Sequence, residues 1–494
     1  MKFKRYLPYL ILLVIIAIAG FLRLWRIGDY MGFLGDEGRD VLIVKRMIVD
    51  HKWTLLGPIT SVGLMHLGPI YYYFMIPFLW IFRLDPVGPA VMVALFSLAT
   101  VVLIWKMMRE FFNEMAAVIA SLLYSLSPLV IIYSHSSWNP NPLPFWSLLF
   151  IYGLIKVFVQ NKPKWLIVSG IALGVVLQLH YVALVFVPMF VVLWLIFKPK
   201  ISRKDLLLGL TAFVLVLSPF IIFELRHQFI NSQTVIQFVT RSGTNKTFGI
   251  EAPLHKFWDL TVRLFWRLVI VKDAELAMLF LLILFSASSI YVSRWKPENI
   301  GRKVLIVLLT WYMVGVGLLS FYAGSIYDYY LMFAFPLPFI LTGAIFTQFA
   351  KNTLSKTIVL MVVVTIAIFQ IRETPILKPP NRLAFQTKTI ADFILSNAGG
   401  SPYNFALIAG KNSDHAYRYF LEVDGPAPIE IKNPTEDPER ITVTDQLFIV
   451  CEEYECKPLG HPLWEIAGFG RAEIANEWQV GLFRVFKLVP YQNL

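Results

Sequence analysis

Residues 7–22 read LPYLILLVIIAIAGFL, an uncharged stretch that predicts a membrane-crossing helix near residues 7–24. Basic residues at positions 2, 4 and 5 precede it, as in a signal peptide. No small-residue cleavage site follows, so we expect the helix to be retained. A little further on, residues 35–40 read GDEGRD, with two adjacent carboxylates and an arginine. A group of charges therefore stands where the first loop outside the membrane begins.

The composition is that of a polytopic membrane protein. Hydrophobic residues make up 57% of the chain and charged residues only 15%, whereas soluble domains carry about 25% charged residues. The net charge of +12 has the size expected of a nucleic-acid-binding protein, but most basic residues lie in short connections between apolar spans. The positive-inside rule predicts this distribution for cytoplasmic loops, so the charge indicates membrane orientation and not nucleic-acid binding.

Ten more apolar stretches are long enough to cross the membrane. They lie near residues 87–105, 115–133, 141–160, 165–180, 182–197, 206–223, 275–293, 304–322, 329–349 and 357–371. A further stretch at residues 68–84 is ambiguous because it is rich in aromatic residues and contains Pro77. If it lies at the membrane interface, the later basic clusters share one side with the N-terminus; if it crosses, they land outside. The positive-inside rule favours eleven spans in the plasma membrane, with a cytoplasmic N-terminus and an external C-terminus.

This topology divides the chain into an all-α membrane domain, residues 1–371, and a small extracytoplasmic α/β domain, residues 372–494. Two long external loops, residues 23–86 and 224–272, interrupt the membrane domain. The C-terminal region follows a proline-rich linker and contains one predicted helix and three predicted strands. The helix lies at residues 387–397 and the strands at residues 404–409, 441–450 and 478–489.

The two cysteines and the loop residues give no metal signature. Cys451 and Cys456 are close enough to pair, and an external compartment permits a disulfide, but two buried free thiols are also consistent with the sequence. No set of ligands with metal spacing occurs in the loops. We therefore expect catalysis without a metal or another cofactor.

Polar residues collect on the predicted external side, where ATP and nucleotide sugars are absent because they are made in the cytoplasm. A transferase there must use a donor that arrives through the membrane, such as a lipid-linked phosphate sugar. The reaction needs a carboxylate for the acceptor hydroxyl, polar or cationic groups for the departing phosphate, and an apolar groove for the lipid. Asp36 suits the first role and the aromatic segment at residues 71–80 suits the third. Candidates for the phosphate are Arg39, His180, Arg226 and His227.

Four features of the first loop occur together: the Asp36–Glu37 pair, Arg39 two positions later, Trp53, and GPIYY at residues 68–72. In this pattern the loop resembles that of the C-type integral membrane glycosyltransferases, in particular the protein O-mannosyltransferases and the lipid A aminoarabinose transferases. The resemblance implies the C-type fold and a polyprenyl-phosphate-linked sugar donor, with a lipid, glycan or protein as acceptor. It also implies that Asp36 is the catalytic carboxylate, with Glu37 beside it. We expect Asp36 to act as general base and the anomeric centre to be inverted.

The chain departs from this family at several positions. Where aminoarabinose transferases have Glu-Lys before the prolines, this chain has His66 and Leu67. An Asp common near the start of the fourth span is replaced by WNPN at residues 138–141, and the basic residue often found before the tenth span is Asp328. These departures leave the sugar and the acceptor open, while the reaction class is retained.

Further candidates for substrate binding each have a structural alternative. The candidates are Arg39, His66, Asn139, Asn141, His180, Arg226, His227, Asp328 and Tyr329. The alternatives are a loop-carbonyl contact for His66, turns for Asn139, Asn141 and His180, an interfacial cluster with Glu224 for Arg226 and His227, and an aromatic-belt position for Asp328. Asp36 itself can cap a helix over residues 37–49.

Residues 254–271 predict an amphipathic helix at the membrane interface. Phe257, Leu260, Leu264 and Leu268 follow helical spacing, with Arg263 and Arg267 on the opposite face. An anion contact by these arginines is the second interpretation.

Two other function classes explain less of the sequence. A transporter or flippase of a lipid-linked amphiphile would need ionisable groups in the middle of helices and an inverted repeat, and the span interiors are nearly free of charge. A structural or sensory protein that works through its external domain leaves GDEGRD at residues 35–40 unexplained. The sequence therefore predicts a glycosyltransferase that is embedded in the lipid bilayer, acts at its extracytoplasmic face and has no nucleic-acid partner.

Overall fold

The computed structural model describes residues 2–60, 65–242 and 251–491, which are predominantly helical. The helices are α1 (Lys2–Leu24), α2 (Ile27–Tyr30), α3 (Gly35–Val49), α4 (Ile70–Ile81), α5 (Val87–Phe111), α6 (Glu114–Leu126), α7 (Pro128–Ser134), α8 (Leu143–Phe158), α9 (Leu166–Leu179), α10 (Phe186–Phe197), α11 (Arg203–Arg226), α12 (Ile230–Ser242), α13 (Glu251–Phe265), α14 (Ala274–Arg294), α15 (Ile300–Ser320), α16 (Pro336–Phe349), α17 (Thr353–Arg372), α18 (Leu383–Ala398), α19 (His415–Asp424) and α20 (Trp464–Ala467). The strands are β1 (Asn404–Ile408), β2 (Leu447–Cys451), β3 (Ala472–Val480) and β4 (Phe483–Pro490). Short 3₁₀ helices lie at Pro163–Trp165, Tyr181–Val185, Asp328–Ala334 and Pro375–Leu377, and a π-helical turn lies at Trp266–Ile270.

Each of the eleven predicted spans coincides with a helix or a pair of helices. Six described helices are long and apolar enough to cross a membrane alone: α1, α5, α11, α14, α15 and α17. Two further spans are bent pairs, α6 with α7 at 61° and the 3₁₀ helix Asp328–Ala334 with α16 at 49°. The other three predicted spans coincide with α8, α9 and α10, which are shorter apolar helices. The predicted all-α polytopic architecture is confirmed.

The bend between α6 and α7 begins at Pro128, the first residue of α7. Proline has no N–H, so the carbonyl of Tyr124, four residues earlier, loses its helical partner. Arg23 of α1 fills the gap: its buried guanidinium donates to the carbonyls of Tyr124 (3.4 Å) and Ser125 (3.0 Å) and to Ser97 Oγ (2.8 Å). A charged side chain inside the bundle is thus bonded to neutral acceptors and holds the broken span together.

In the first loop, α3 follows α2 and starts at a different residue from the one predicted. α3 covers Gly35–Val49 and not residues 37–49, so Asp36 lies in its first turn and does not cap it. The cap position is Leu34, whose N–H donates to Glu37 Oε2 at 3.1 Å. The carboxylate of Glu37 therefore closes the helix N-terminus, which leaves that of Asp36 for other contacts.

The ambiguous stretch at residues 68–84 contains α4, a helix of 12 residues. At 1.5 Å per residue α4 is about 18 Å long, the same length as α10. One face is buried against the bundle: Tyr71, Tyr72, Met75 and Leu79. Trp80 is 68% exposed. The helix thus has the sidedness of the predicted interfacial segment.

The C-terminal domain is built on a sheet with the strand order β1-β2-β4-β3, in which β1 and β2 are parallel and the other pairs antiparallel. The first predicted strand is confirmed as β1. The predicted strand at residues 441–450 is wrong before Leu447, because Asp437 accepts the N–H groups of Ile441 (2.9 Å) and Thr442 (2.7 Å) and holds a turn there. The predicted strand at residues 478–489 is not one strand. It covers the end of β3, the hairpin turn at Gly481, where φ is 60°, and most of β4.

Helices flank this sheet. α18 is longer than the predicted helix at residues 387–397 and ends as expected at Gly399, whose φ of 63° lies in the left-handed region. α19 was not predicted. Cys451 and Cys456 form a disulfide, which was one of the two open alternatives.

The C-terminal domain rests on α3 through α19. Glu422 of α19 accepts from Lys45 Nζ (3.0 Å) and Arg46 Nη2 (2.8 Å) of α3. Nearer the start of α3, Gly38 lets the two backbones touch, since a Cβ there would lie 2.7 Å from the carbonyl carbon of His415. The helix with the charged motif is thus held between the membrane bundle and the C-terminal domain.

The orientation of the chain stays a prediction, and single-cysteine labelling tests it. Both native cysteines are in the disulfide, so they give little background. Leu482 is 74% exposed in the C-terminal domain, and Lys162 is exposed between α8 and α9. We expect a membrane-impermeant maleimide to label Leu482→Cys on intact cells and Lys162→Cys only after permeabilisation. Labelling of Lys162→Cys on intact cells would contradict the eleven-span topology.

Candidate functional site

In the first two turns of α3, the charged side chains of Asp36, Arg39 and Asp40 run from the surface to the interior. The side chain of Asp36 is 55% exposed, that of Arg39 17% and that of Asp40 0%. Arg39 bridges the two carboxylates: its Nη1 lies 2.9 Å from Asp36 Oδ1 and its Nη2 lies 2.8 Å from Asp40 Oδ1. Among the described residues nothing donates a hydrogen bond to Asp36 Oδ2. That oxygen is open for a substrate.

Asp40 is a candidate that the sequence reasoning missed. Its Oδ1 also accepts from the hydroxyl of Tyr72 at 3.2 Å, while its buried Oδ2 has no partner within the described part of the chain. A signal was present, because Asp40, Val44 and Met47 follow helical spacing and mark the buried face of the predicted helix.

The charge states of this turn follow from its burial. Burial raises the pKa of Asp40 to about 7, although the charge of Arg39 opposes the shift. Burial acts to lower the pKa of Arg39, but the neighbouring side chains of Asp40, Tyr72 and Asp36 raise it above its usual range. Arg39 is therefore always cationic, and Asp40 can change its charge near neutral pH.

Glu37 shapes the turn that presents Asp36. Its Oε2 accepts the N–H of Leu34; burial raises the pKa of Glu37, and the backbone hydrogen bonds work in the opposite direction. Just before α3, the N–H of Gly32 donates to Ser136 Oγ at 3.0 Å. The start of α3 is thereby tied to the turn between α7 and α8.

Asp36 and Arg39 open onto a cavity of about 480 Å³. Parts of the first loop, the turn before α8, the 3₁₀ helix after α9, the end of α15 and the 3₁₀ helix before α16 form its wall. Predicted site residues in the wall are Asp36, Arg39, Asn139, His180 and Tyr329. Among the described wall residues, Asp36 and Arg39 are the only charged ones, so the cavity has one charged edge and a mainly apolar and aromatic lining.

The other polar wall residues are partly used by the fold. Asn139 Nδ2 donates to the carbonyl of Leu179 at 2.7 Å and ties the turn before α8 to the end of α9. Trp138 meets Tyr329 edge to face with ring centroids 4.5 Å apart. In the described ranges, no group of three or more His, Cys, Asp or Glu side chains is placed to hold a metal ion.

His180 lies in the turn between α9 and the next 3₁₀ helix. Its Nδ1 accepts the N–H of Val182 at 3.1 Å, and burial lowers its pKa to about 4. The ring is therefore neutral near pH 7, and the tautomer that satisfies this bond carries its proton on Nε2. His180 can donate a hydrogen bond to a phosphate, but it cannot supply positive charge.

The structure places six predicted site residues outside the wall: Glu37, His66, Asn141, Arg226, His227 and Asp328. His66 lies behind the wall, where its Nδ1 approaches the carbonyl of Gly57 at 3.4 Å and Asn231 bonds to both of its main-chain groups. Asn141 Nδ2 donates to the carbonyl of Ser136 at 2.7 Å. These contacts match the structural alternatives.

Arg226 and His227 lie exposed at the end of α11. The ring of His227 stacks on Phe223, with centroids 4.1 Å apart. Neighbouring Glu224 is buried and accepts the N–H of Asn231 at 3.2 Å, so it closes the N-terminus of α12. The structure therefore places Arg226 and His227 outside the cavity wall, and their contact with the phosphate stays a prediction.

Asp328 is fixed by two ion pairs. Its Oδ1 lies 2.6 Å from Arg263 Nε and its Oδ2 lies 3.2 Å from Arg267 Nη2. Both arginines belong to the predicted amphipathic helix, which the structure confirms as α13 with the π turn that follows. Its buried residues include Leu260, Leu264 and Leu268. The sequence located both partners, but their pairing depends on a contact between distant segments.

Comparison with known proteins agrees with this architecture. Residues 66–223 match the sequence model of the family described as dolichyl-phosphate-mannose-protein mannosyltransferase. The chain is similar to ArnT from Cupriavidus metallidurans, solved bound to undecaprenyl phosphate, with a TM-score of 0.65 and 14% identity over 96% of this chain and 97% of that chain. It is also similar to the oligosaccharyltransferase AglB from Archaeoglobus fulgidus, solved with an inhibitory peptide and a dolichol-phosphate, with a TM-score of 0.53 and 12% identity over 91% of this chain and 70% of that chain. The fold is that of a C-type membrane glycosyltransferase.

The C-type fold confirms the predicted resemblance over nearly the whole chain. The matched family segment begins at His66, after the helix that carries Asp36. No curated protein sequence matches the chain. At these identities the likeness carries the C-type fold, and the roles of individual residues rest on the geometry of the site.

Proposed function

We propose that the protein transfers a sugar from a polyprenyl-phosphate-linked donor to an acceptor hydroxyl at the extracytoplasmic face of the membrane. Asp36 acts as the general base, and the anomeric centre is inverted. The observation that carries this proposal is the exposed carboxylate of Asp36, paired with Arg39 at the edge of a mainly apolar cavity in a C-type fold. Separate parts of the site are suited to binding the lipid, the phosphate and the acceptor hydroxyl.

The apolar wall suits a prenyl chain. It includes Leu184, Val185, Leu318 and Leu319. Leu184 and Leu318 are also 48% and 45% exposed, so the wall continues onto the surface of the bundle. A prenyl chain can leave the cavity there while its phosphate stays inside. ArnT was solved with undecaprenyl phosphate and AglB with a dolichol-phosphate, which supports a lipid phosphate as the carrier.

Arg39 suits the departing phosphate. It is the one Lys or Arg among the described wall residues, and its guanidinium is held by carboxylates on two sides. A fixed cation beside the leaving oxygen stabilises the negative charge that develops there without any rearrangement. Neutral His180 adds a hydrogen-bond donor on the same cavity.

Asp36 suits the acceptor hydroxyl. A hydroxyl is a poor nucleophile at neutral pH, and glycosyl transfer passes through an oxocarbenium-like state with positive charge at the anomeric carbon. A carboxylate with one open oxygen takes the hydroxyl proton as the C–O bond forms and also stabilises that charge. Attack opposite the phosphate breaks the bond to the leaving oxygen in the same step, so no covalent enzyme intermediate arises.

The base is tested by Asp36→Asn. The amide is nearly isosteric but cannot take the proton, so we expect expression and donor binding to persist and turnover to fall by about 10²–10⁴-fold. Glu37→Gln keeps an oxygen for the Leu34 N–H, so its loss should be milder. The measurement is transfer of radiolabelled sugar from polyprenyl-phosphate donors to membrane fractions. Wild-type turnover by Asp36→Asn would remove Asp36 as the base.

The phosphate contact is tested by two matched variants, Arg39→Gln and Arg226→Gln. We expect Arg39→Gln to lower turnover by about 10²-fold, as for a lost transition-state donor, while Arg226→Gln stays close to wild type. Arg39→Gln also removes the cation that pairs with buried Asp40, so gel filtration and thermal unfolding of both proteins control for folding. An equal loss of turnover in both variants would contradict this assignment, because it would indicate that the end of α11 also contacts the phosphate.

Asp40 predicts the pH dependence. As the pH falls through about 7, Asp40 gains a proton and releases Arg39 from one of its two carboxylates. The carboxylate form of Asp40 predominates above this pKa. Turnover should therefore be constant above pH 7 and should decrease below it, by up to about tenfold per pH unit. Asp40→Asn cannot ionise and should lose this inflection. An inflection that persists in Asp40→Asn would assign the titration to another group.

A further inference from the structure

We infer that the C-terminal domain positions the general base: Asn412 and Glu452 hold the N-terminus of α3, and with it the carboxylate of Asp36. This inference rests on the function proposed above. Asn412 touches neither the cavity nor a reacting atom, so it is a positioning residue that acts through α3.

The contact is a chain of hydrogen bonds that enters the first turn of α3 from the C-terminal domain. Asn412 Oδ1 accepts the N–H of Gly35 at 2.9 Å and that of Ser413 at 3.0 Å. Asn412 Nδ2 donates to both carboxylate oxygens of Glu452, at 2.9 and 3.1 Å. The hydroxyl of Tyr417 donates to the same carboxylate at 2.8 Å. The amide of Asn412 is thereby fixed on both ends.

Glu452 is itself anchored in the sheet. It follows β2 directly, and its N–H donates to the carbonyl of Ile408 at 3.0 Å. Its neighbour Cys451 is the last residue of β2 and forms the disulfide with Cys456. The chain of hydrogen bonds from Gly35 through Asn412 to Glu452 is therefore anchored on the buried sheet of the C-terminal domain.

Gly35 and Gly38 make this approach possible. A Cβ on Gly35 would lie 2.9 Å from the backbone nitrogen of Ser413, and one on Gly38 would lie 2.7 Å from the carbonyl carbon of His415. Real Cβ atoms are essentially never this close to backbone. Two glycines on one side of α3 thus allow the loop before α19 to lie directly against the helix.

The first turn of a helix has N–H groups without intrahelical partners, and their bonds decide where the helix begins. In α3 Glu37 takes that of Leu34, while a residue more than three hundred positions away in the chain takes that of Gly35. Gly35 directly precedes Asp36, so the hydrogen bond from the Gly35 N–H to Asn412 fixes the backbone next to the base. A displacement near 1 Å of a reacting group can cost about 10²-fold in rate.

The test exchanges the amide and the carboxylate. Asn412→Asp keeps an oxygen for the Gly35 N–H but sets two carboxylates against each other. The double variant Asn412→Asp/Glu452→Gln restores a donor between them, keeps an acceptor for Tyr417, and has the net charge of the wild type. Asn476→Asp, exposed on β3, is the matched control for the added charge.

We expect Asn412→Asp to lower kcat by about tenfold or more, with KM for the donor within about twofold, because the base moves while the lipid site does not. The kcat of the double variant should recover to within about threefold of the wild-type value. The kcat of Asn476→Asp should equal that of the wild type. A loss confined to the yield of folded protein, or a double variant no better than the single one, would overturn the inference.

Hydrogen exchange of the wild-type enzyme gives a measurement that needs no variant to fold. Resolved to single amides, the Gly35 N–H should exchange far more slowly than an unprotected amide. Exchange at the unprotected rate in the wild type would contradict the bond. Asp36→Asn is assayed in parallel: an inactive Asp36→Asn with a fully active Asn412→Asp rejects the positioning role alone, whereas an active Asp36→Asn rejects the proposed function.

Discussion

Inside a bilayer every backbone N–H and C=O needs a partner within the protein, and this constraint accounts for both the helical bundle and its interruptions. Where a span breaks, a side chain replaces the missing backbone partner. Arg23 donates to the carbonyl of Tyr124, which Pro128 leaves without a helical partner, and to that of Ser125. Near the π turn after α13, the carbonyl of Leu268 accepts from Ser127 Oγ at 2.8 Å and from Gln370 Nε2 at 3.1 Å. The bends are therefore tied to neighbouring helices and are part of the packing.

The same constraint confines the proposed chemistry to the edge of the bundle. Charges that a reaction needs are tolerated there, where water reaches Asp36 and the interior begins only one helical turn further along α3. Arg39 spans that boundary, with one carboxylate partner exposed and the other fully buried. Its position is thus determined from the inside, by Asp40 and Tyr72, before any substrate arrives.

Features governed by local pattern were predictable from the sequence, and features governed by contacts between distant segments were not. Hydropathy located the apolar helices, while the use of loop charge to place α4 at the interface stays a prediction. Asp40 was missed because the motif was read as a surface run and its helical face was not followed inward. Arg226 and His227 share the predicted side of the membrane with Asp36, yet α11 ends outside the cavity. The partners of Asp328 became visible only when α13 and the loop before α16 were brought together.

The contact between α3 and α19 also defines what can be exchanged between related enzymes. By sequence, the natural boundary of the C-terminal domain is the linker after α17. The glycine-mediated contact, the bond from Asn412 and the ion pairs of Glu422 make α3 a part of the same mechanical unit. A chimaera cut at the linker would separate the two halves of this unit, whereas one that carries residues 32–49 along with the domain would transplant it whole. The module that evolution or an engineer can exchange is therefore discontinuous in the chain.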